Sequence, residues 1–220
     1  MPRTARASQA GYCYHVLNRG NGRAEVFHKQ EDYLAFVRLM GQACERLPLR
    51  VVGWCLMPNH FHLVLWPHGD GDLGRWMQWL LTAHVRRYHR HYGGSGHVWQ
   101  GRFKAFPIQE DEHLLAVLRY VERNALRANL VGRAQDWPYS SLALPGDDWP
   151  TLDPGPVPRG RRWLQHVNRP QTEAELQAIR HSLTRGTPYG SDDWQQATAR
   201  QLGLESTLRP RGRPRKNAEK

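Results

Sequence analysis

The sequence predicts an α+β fold of ferredoxin-like topology, in which an antiparallel sheet carries its helices on one face. Short runs rich in β-branched and aromatic residues, bounded by glycine, proline or asparagine, indicate strands. Three longer stretches repeat apolar residues every three or four positions and indicate amphipathic helices. Along the chain the elements alternate as strand, helix, strand, strand, helix, strand, helix. The second face of such a sheet is expected to be available for a ligand.

The individual elements follow from local signals. The first strand is Tyr12 to Leu17, and the turn Arg19-Gly20-Asn21-Gly22 ends it. Pro58-Asn59 separates two apolar runs and predicts an antiparallel hairpin. The predicted strands are 12–17, 49–57 and 60–66, with an extended segment at 97–108, and the predicted helices are 32–47, 73–92 and 112–129.

A change of composition divides the chain. Prolines recur between positions 145 and 159, so residues 1–144 are predicted to form the main domain and residues 145–170 a strap or linker. Thr172 and Glu175 then form a capping box that opens a helix to about Arg185. Ser191 is expected to cap another helix. Residues 171–206 are therefore a short helical extension, and residues 207–220 a basic tail.

The net charge of +11 predicts an anionic partner, most simply nucleic acid. Nine tryptophans and eight tyrosines supply rings on which unstacked bases can pack. The three cysteines lack CxxC spacing, which excludes a zinc ribbon and a disulfide framework and favours a reducing compartment. We find neither a signal peptide nor an apolar run long enough to span a membrane, so we expect a cytoplasmic protein with no membrane partner.

The most informative local pattern is His60-Phe61-His62 in the predicted hairpin. Residues two apart on a strand point to the same side, about 7 Å apart at the backbone, so both imidazoles can reach one metal ion. Two ligands leave coordination positions open for a substrate. The alternative is a pair of polar residues on the wet side of a half-buried strand.

Tyr120 is the candidate nucleophile. On a helix Asn124 lies one turn further along the same side, so a phenol and a carboxamide oxygen share one stripe, with Arg123 and Arg127 nearby. Neighbouring cations or a metal-bound substrate would help the phenol to lose its proton. The alternative is an ordinary tyrosine of an amphipathic helix.

Together these residues resemble a known family, and the resemblance covers residues 12 to about 142. Its two main motifs are Met57-Pro58-Asn59-His60-Phe61-His62-Leu63-Val64 and Arg119-Tyr120-Val121-Glu122-Arg123-Asn124. Further segments that agree are Tyr14-His15-Val16, Arg19-Gly20-Asn21, Asp32-Tyr33, Trp99-Gln100-Gly101-Arg102-Phe103-Lys104 and Trp137-Pro138-Tyr139-Ser140-Ser141. In this order they resemble the HUH single-tyrosine transposases, in the bacterial branch associated with repetitive extragenic palindromes (REP).

The resemblance implies the HUH endonuclease fold and metal-dependent cleavage and rejoining of single-stranded DNA. Tyr120 would attack a backbone phosphodiester, form a 5′-phosphotyrosine and release a 3′-hydroxyl. His60 and His62 would hold Mg²⁺ or Mn²⁺, and Asn124 stands where relatives supply a third ligand, in some of them a Gln. Since the DNA stays attached to the protein, rejoining would need no nucleotide cofactor.

Cationic residues are the candidate DNA contacts. The stretch from Arg86 to Lys104 contains no acidic residue and interleaves its cations with aromatic rings, which suits a groove that follows phosphates. The alternative is a solvated helix end, or, for the tail, a disordered basic segment. The tail resembles an AT-hook that enters a minor groove. The predicted contacts are Arg19, Arg86, Arg87, Arg90, Arg102, Lys104, Arg123, Arg127, Arg211, Arg213, Arg215 and Lys216.

The implied substrate is single-stranded DNA with a hairpin stem, such as REP DNA, in the bacterial cytoplasm close to the nucleoid. Two alternatives use the same scaffold: a non-catalytic DNA-binding regulator, and a metal-dependent nuclease that uses activated water. The sequence leaves open whether the protein is a monomer or a homodimer. It also leaves open whether Tyr120 serves the histidines of its own chain.

Overall fold

The structure, a computed structural model, describes residues 8–143, 146 and 149–209 of the chain. Its centre is a four-stranded antiparallel sheet in the order β2-β3-β1-β4. The strands are β1 (Cys13–Arg19), β2 (Leu49–Met57), β3 (His60–Pro67) and β4 (Lys104–Ile108). The predicted α+β class with an antiparallel sheet is confirmed.

The helices lie between and after the strands. They are α1 (Gln30–Arg46), α2 (Asp72–Tyr92), α3 (Glu112–Glu122), α4 (Asn124–Arg127), α5 (Trp163–Asn168), α6 (Glu173–Arg185), α7 (Asp192–Leu202) and α8 (Glu205–Leu208). Thr172 and Glu175 form the predicted capping box of α6. No helix in the described part of the chain is long and apolar enough to cross a membrane.

Helices cover both faces of the sheet, whereas the sequence predicted them on one. Helices α1 and α2 pack on the face that carries Tyr14 and Phe61. Helices α3 and α6 pack on the opposite face, against Cys55 and Val64. The physical reason lies in β2, where residues 51–57 are buried one after another, so that both faces need an apolar cover.

The pairing of β3 determines what surrounds the two histidines. β3 lies between β2 and β1, and in β1 Arg19 is opposite His60 and Leu17 is opposite His62. The glycine-rich turn after Arg19 is tied to the β2–β3 hairpin, because the Gly20 amide donates to the Asn59 carbonyl at 2.8 Å. The histidines therefore lie beside the end of β1.

The helix predicted at 112–129 is interrupted. α3 ends at Glu122, and the short α4 begins at Asn124, so Tyr120 and Asn124 do not share one continuous helix. α3 lies close against β2 because Gly53 carries no side chain, and a Cβ there would meet the Leu118 side chain at 2.7 Å.

The extended segment predicted at 97–108 forms a strand only from Lys104 onward. Gly101, with φ +110°, interrupts the extended backbone. Before it, Trp99 forms an isolated bridge with Gly20, and the Asn21 amide donates to the Val98 carbonyl at 2.9 Å. This loop is thereby fixed to the turn that follows β1.

The C-terminal part of the chain contacts both outer strands of the sheet. Leu152 forms a parallel bridge with Val51 of β2, and Tyr189 forms one with Ile108 of β4. Between these bridges α5 lies within the stretch predicted as a strap. Residues 152–153 thus bind part of the β2 edge, which Tyr139 and Ser141 also contact, and Tyr189 of the extension binds the β4 edge.

Candidate active site

His60 and His62 lie on the side of β3 that faces α3. Their ring centroids are 5.0 Å apart, and His62 is almost completely buried. Burial, together with the charges of Arg19 and Arg127, lowers the pKa of His60 to about 4. Burial and the neighbouring His15 hold the pKa of His62 well below its ordinary value. Both imidazoles are therefore neutral at physiological pH, the form that binds a metal.

Asn59 sets the tautomer of His60. The side-chain nitrogen of Asn59 donates to the Arg23 carbonyl at 3.1 Å, so its oxygen faces Nδ1 of His60 at 2.6 Å. An amide oxygen can only accept, so Nδ1 of His60 carries the proton. The lone pair of His60 is then on Nε2, as in metal-binding histidines whose other nitrogen is held by a neighbouring group.

His62 is backed by a second imidazole. Its Nδ1 lies 2.9 Å from Nε2 of His15, a residue of β1 that is fully buried. The two rings are stacked, with centroids 5.0 Å apart. Burial lowers the pKa of His15 to about 3, so His15 is also neutral and can either donate or accept.

Tyr120 lies near the end of α3, against the histidines. Its ring centroid is 5.6 Å from that of His62, and the two planes are nearly perpendicular. The guanidinium carbon of Arg127 is 4.0 Å from the centroid of the Tyr120 ring, and the Arg127 side chain donates to the Tyr120 carbonyl at 3.2 Å. A phenol, neutral imidazoles and a fixed positive charge therefore meet at one point.

Asn124 is also buried, at the start of α4. Its side-chain nitrogen has no hydrogen-bond partner among the described residues. Because this nitrogen makes no hydrogen bond, the carboxamide can turn to offer its oxygen to a bound ion without breaking one. Leaving a buried amide unpaired is otherwise costly. Asn124, close to Tyr120 in the sequence, is therefore a buried polar side chain whose amide nitrogen no described residue engages.

Tyr120 opens onto a cleft of about 500 Å³. None of the described residues that line it is acidic. The cations that line it are Arg19, Arg102, Lys104 and Arg180. Arg102 and Lys104 are exposed, while Phe103 between them is buried in the core. The cleft is therefore suited to a polyanion that passes across the tyrosine.

Of the other predicted cations, none that the structure describes lines this cleft. Arg86 and Arg90 are exposed on α2, which packs on the opposite face of the sheet. Arg87 lies 3.4 Å from the buried Asp32. Arg123 donates to two backbone carbonyls at the end of α5, so its guanidinium holds the C-terminal segment. Arg211, Arg213, Arg215 and Lys216 lie outside the described residues.

Sequence reasoning gave no role to two residues that the fold brings to the site. His15 was part of the Tyr14-His15-Val16 motif, and a histidine inside an apolar strand is the signal that marks it. Arg180 lies about two turns into α6 and carries no local signal, because nothing in its neighbourhood indicates that α6 returns to Tyr120.

A second group of metal-binding residue types lies at the start of α3. Ligand atoms of Asp111, Glu112 and His113 lie within 4.8 Å of one another. However, Asp111 is the N-cap of α3 and accepts from the His113 amide at 2.8 Å. This cap explains the arrangement without an ion.

Comparison with known proteins identifies the family of the chain. The sequence model of the family described as "Transposase IS200 like" matches residues 8–124. A REP-associated tyrosine transposase of Haemophilus influenzae is 32% identical, and the match covers 50% of this chain and 69% of that protein. The solved structure of a REP-associated tyrosine transposase bound to a REP hairpin has the same fold, with a TM-score of 0.53 and 19% identity over 67% of this chain and 93% of that one. The resemblance indicated by the motifs is confirmed, and the chain belongs to the IS200-like transposase family.

Proposed function

We propose that this transposase cleaves and rejoins single-stranded DNA beside a REP hairpin, through a 5′-phosphotyrosine on Tyr120. The observation that carries the proposal is the position of Tyr120, which packs against the buried His62 and lines a cleft together with four cations. The hairpin bound by the structurally similar relative supports the substrate class.

In this reaction the phenolic oxygen of Tyr120 forms a bond to the scissile phosphorus, and the bond from phosphorus to the 3′-oxygen breaks. The proton that the phenol loses is balanced by the proton that the 3′-hydroxyl gains. Arg127, stacked 4.0 Å from the ring centroid, places a positive charge beside the ring as it becomes negative. The reverse attack by a 3′-hydroxyl rejoins a strand, so no nucleotide cofactor is required.

His60 and His62 would hold Mg²⁺ or Mn²⁺ through Nε2, with Asn124 as a third side chain, and the bound ion would polarise the scissile phosphate. The neutral state of both imidazoles and the unpaired amide of Asn124 support this assignment. Imidazole ligands favour Mn²⁺ over Mg²⁺, which prefers oxygen ligands. His62 and His15, which pack edge-on against the Tyr120 ring, exclude water from the side that they cover.

Different cations would bind different parts of the DNA. Arg19, Arg102 and Lys104 line the cleft and would bind phosphates of the single strand that reaches Tyr120. Arg86 and Arg90, exposed on α2, would bind phosphates of the duplex stem. The basic tail from Arg211 to Lys216 would add affinity for the stem. Arg87 and Arg123, engaged within the protein, would contribute to stability.

The proposal is tested with end-labelled REP hairpins that carry single-stranded flanks, incubated with protein and Mn²⁺ and separated on a denaturing gel. We expect a protein-linked DNA band with the wild type and no such band with Tyr120→Phe. Tyr88→Phe is the matched control, because it also removes one hydroxyl, from a half-buried tyrosine of α2 on the other face of the sheet.

The pattern of bands separates the three candidate activities. Cleavage that persists in Tyr120→Phe without a linked band would identify a nuclease that uses water. Binding without cleavage on any flanked hairpin would identify a regulator. A linked band in the wild type and in Tyr88→Phe alone supports strand transfer through Tyr120.

A further inference from the structure

Part of the wall of the cleft comes from the C-terminal extension. Arg180, Leu183 and Thr184 of α6 line the cleft with Tyr120, and Leu183 packs in the same apolar cluster as the Tyr120 ring. These three residues lie beyond residues 8–124, the part of the chain that matches the family. The extension therefore adds a surface to the site.

Contacts at both ends hold α6 in place over the cleft. At its start, Glu175 completes the capping box and lies 3.7 Å from Arg119 of α3. After its end, Tyr189 pairs with the edge of β4, since its amide donates to the Pro107 carbonyl and its carbonyl accepts from the Gln109 amide, both at 2.9 Å. The position of Arg180 relative to Tyr120 is thus set by the fold.

The Arg180 guanidinium is available for an anion. Its partner is Glu173 at 3.2 Å, and the side chains of Arg180 and Glu173 are 49% and 64% exposed. An exposed pair of this kind contributes little to stability, so a phosphate can replace it at little cost. A guanidinium also binds two phosphate oxygens at once, which a lysine does not.

We propose that α6 forms one side of the path of the single-stranded DNA, and that Arg180 binds a backbone phosphate next to the one that Tyr120 attacks. This role rests on the proposed function and assigns part of the DNA site to the extension. A strand held between Arg180 on one side and Arg102 and Lys104 on the other would be fixed in line with the phenol.

The test measures binding without chemistry, by fluorescence anisotropy in EDTA over a range of NaCl concentrations. The probes are one REP hairpin with single-stranded flanks and the same hairpin without them. Arg133→Ala is the matched control for Arg180→Ala, because Arg133 is also exposed, paired with an acid (Asp136, 2.9 Å) and absent from the cleft.

We expect Arg180→Ala to weaken binding of the flanked hairpin about fivefold to tenfold and to reduce its salt slope by about 0.7, the value for one single-strand phosphate contact. Binding of the flankless hairpin should stay within twofold, and Arg180→Lys should recover part of the loss. Equal effects of Arg180→Ala and Arg133→Ala, or equal losses on both probes, would overturn the proposal. The protein-linked band tests Tyr120 separately, so failure of either idea can be recognised.

The contact between Nε2 of His15 and Nδ1 of His62, at 2.9 Å, carries a second inference, which rests on the metal site of the proposed function. If Nε2 of His15 donates, Nδ1 of His62 accepts and the proton of His62 is on Nε2, which then cannot bind an ion. If Nε2 of His15 accepts, Nε2 of His62 keeps its lone pair. We infer that His15 is a positioning residue: its contact fixes the ring orientation of His62, and Nε2 of His15 must accept for Nε2 of His62 to bind an ion.

The test compares His15→Phe with His15→Gln, whose side-chain oxygen can take the place of the accepting Nε2. Mn²⁺ binding to the DNA-free protein is measured by electron paramagnetic resonance, and folding by the melting temperature. We expect His15→Phe to weaken Mn²⁺ binding about 10- to 100-fold, the usual effect of losing such a partner, and His15→Gln to restore most of it.

Unchanged Mn²⁺ binding in His15→Phe, or equal losses in both variants, would overturn the positioning role. His60→Ala distinguishes this outcome from failure of the metal site itself. If His60→Ala also leaves Mn²⁺ binding unchanged, the ion is not held at these histidines.

Discussion

The two faces of the sheet are made from alternate residues of the same strands, yet the side chains at their centres differ in polarity. The face under α1 and α2 presents Tyr14, Phe61 and Leu63, all fully buried in an apolar and aromatic cluster. The opposite face presents His15 and His62 at the corresponding centre of the sheet. Both faces carry an apolar cluster that stabilises the fold, and the opposite face also carries the candidate site residues.

Burial of histidine does not by itself distinguish the two faces. His84 of α2 is as deeply buried as His62, among Phe27, Phe36 and Trp99, and burial lowers its pKa to about 3. What separates His62 is its surroundings, because a phenol and a cationic cleft lie beside it. A shifted pKa marks a functional site only when such groups converge.

We call the face under α1 and α2 the first face and the face that carries His15 and His62 the second face. The largest expected effect is on the rate of cleavage, from a substitution on the second face. His62→Ala should lower the rate of cleavage about a thousandfold or more, since several kcal/mol of charge stabilisation at the phosphate would be lost. Hairpin binding should remain within about tenfold, a shift of about 1.4 kcal/mol. Single-turnover cleavage and anisotropy measure the two quantities, with His91→Ala, an exposed histidine of α2, as the control. A parallel loss of binding would mean that β3 had been damaged.

Substitution of Phe61, which lies between His60 and His62 in the sequence, should reduce stability and leave cleavage almost unchanged. Phe61 is fully buried on the first face, so Phe61→Ala should reduce the free energy of unfolding by about 3–5 kcal/mol. At a temperature where the variant is folded, cleavage should stay close to that of the wild type. Urea unfolding and cleavage of the same preparation check this. Normal stability together with lost cleavage would break the assignment of the two faces.

The residues of the first face were largely predictable, and those of the second only in part. Alternation in β3 and the 3.6-residue period of α1 and α2 are local signals, so the core of the first face follows from the sequence. Tyr120, His60 and His62 are predicted from local spacings as well, since His60 and His62 are two apart on a strand and Tyr120 and Asn124 are four apart. The break after Glu122 and the return of α6 to Tyr120 depend on contacts between distant segments, which no local pattern encodes.

His84 should have a smaller effect, which is on the free energy of unfolding and depends on pH. In the folded protein it stays neutral down to about pH 3, whereas in the unfolded chain it takes up a proton near its ordinary value of 6.5. The stability that the neutral His84 side chain contributes to the folded state is therefore fully present above pH 6.5 and is lost as the pH falls towards 3. Between pH 6 and pH 5 the slope should approach about 1.4 kcal/mol per pH unit for this one group.

Urea unfolding of the wild type and of His84→Leu at several pH values measures that slope. The variant lacks one titrating group, so its stability should fall less steeply with decreasing pH. Parallel curves would show that His84 is protonated in the folded state, and that the aromatic face is less closed than its packing indicates.

The smallest expected effect is on DNA binding, measured for cations of the two faces. Arg102→Ala/Lys104→Ala and Arg86→Ala/Arg90→Ala each remove two exposed charges, the first pair from the cleft and the second from α2. The cleft pair should weaken binding of flanked hairpins about tenfold and reduce the salt slope by about 1.4, with little effect on the flankless hairpin. The α2 pair should weaken both probes equally, by a few fold, because it would contact stem phosphates present in each. If the two double variants gave the same ratio between flanked and flankless DNA, the single strand would not be confined to the face that carries Tyr120, and the contrast between the two faces would not extend to DNA.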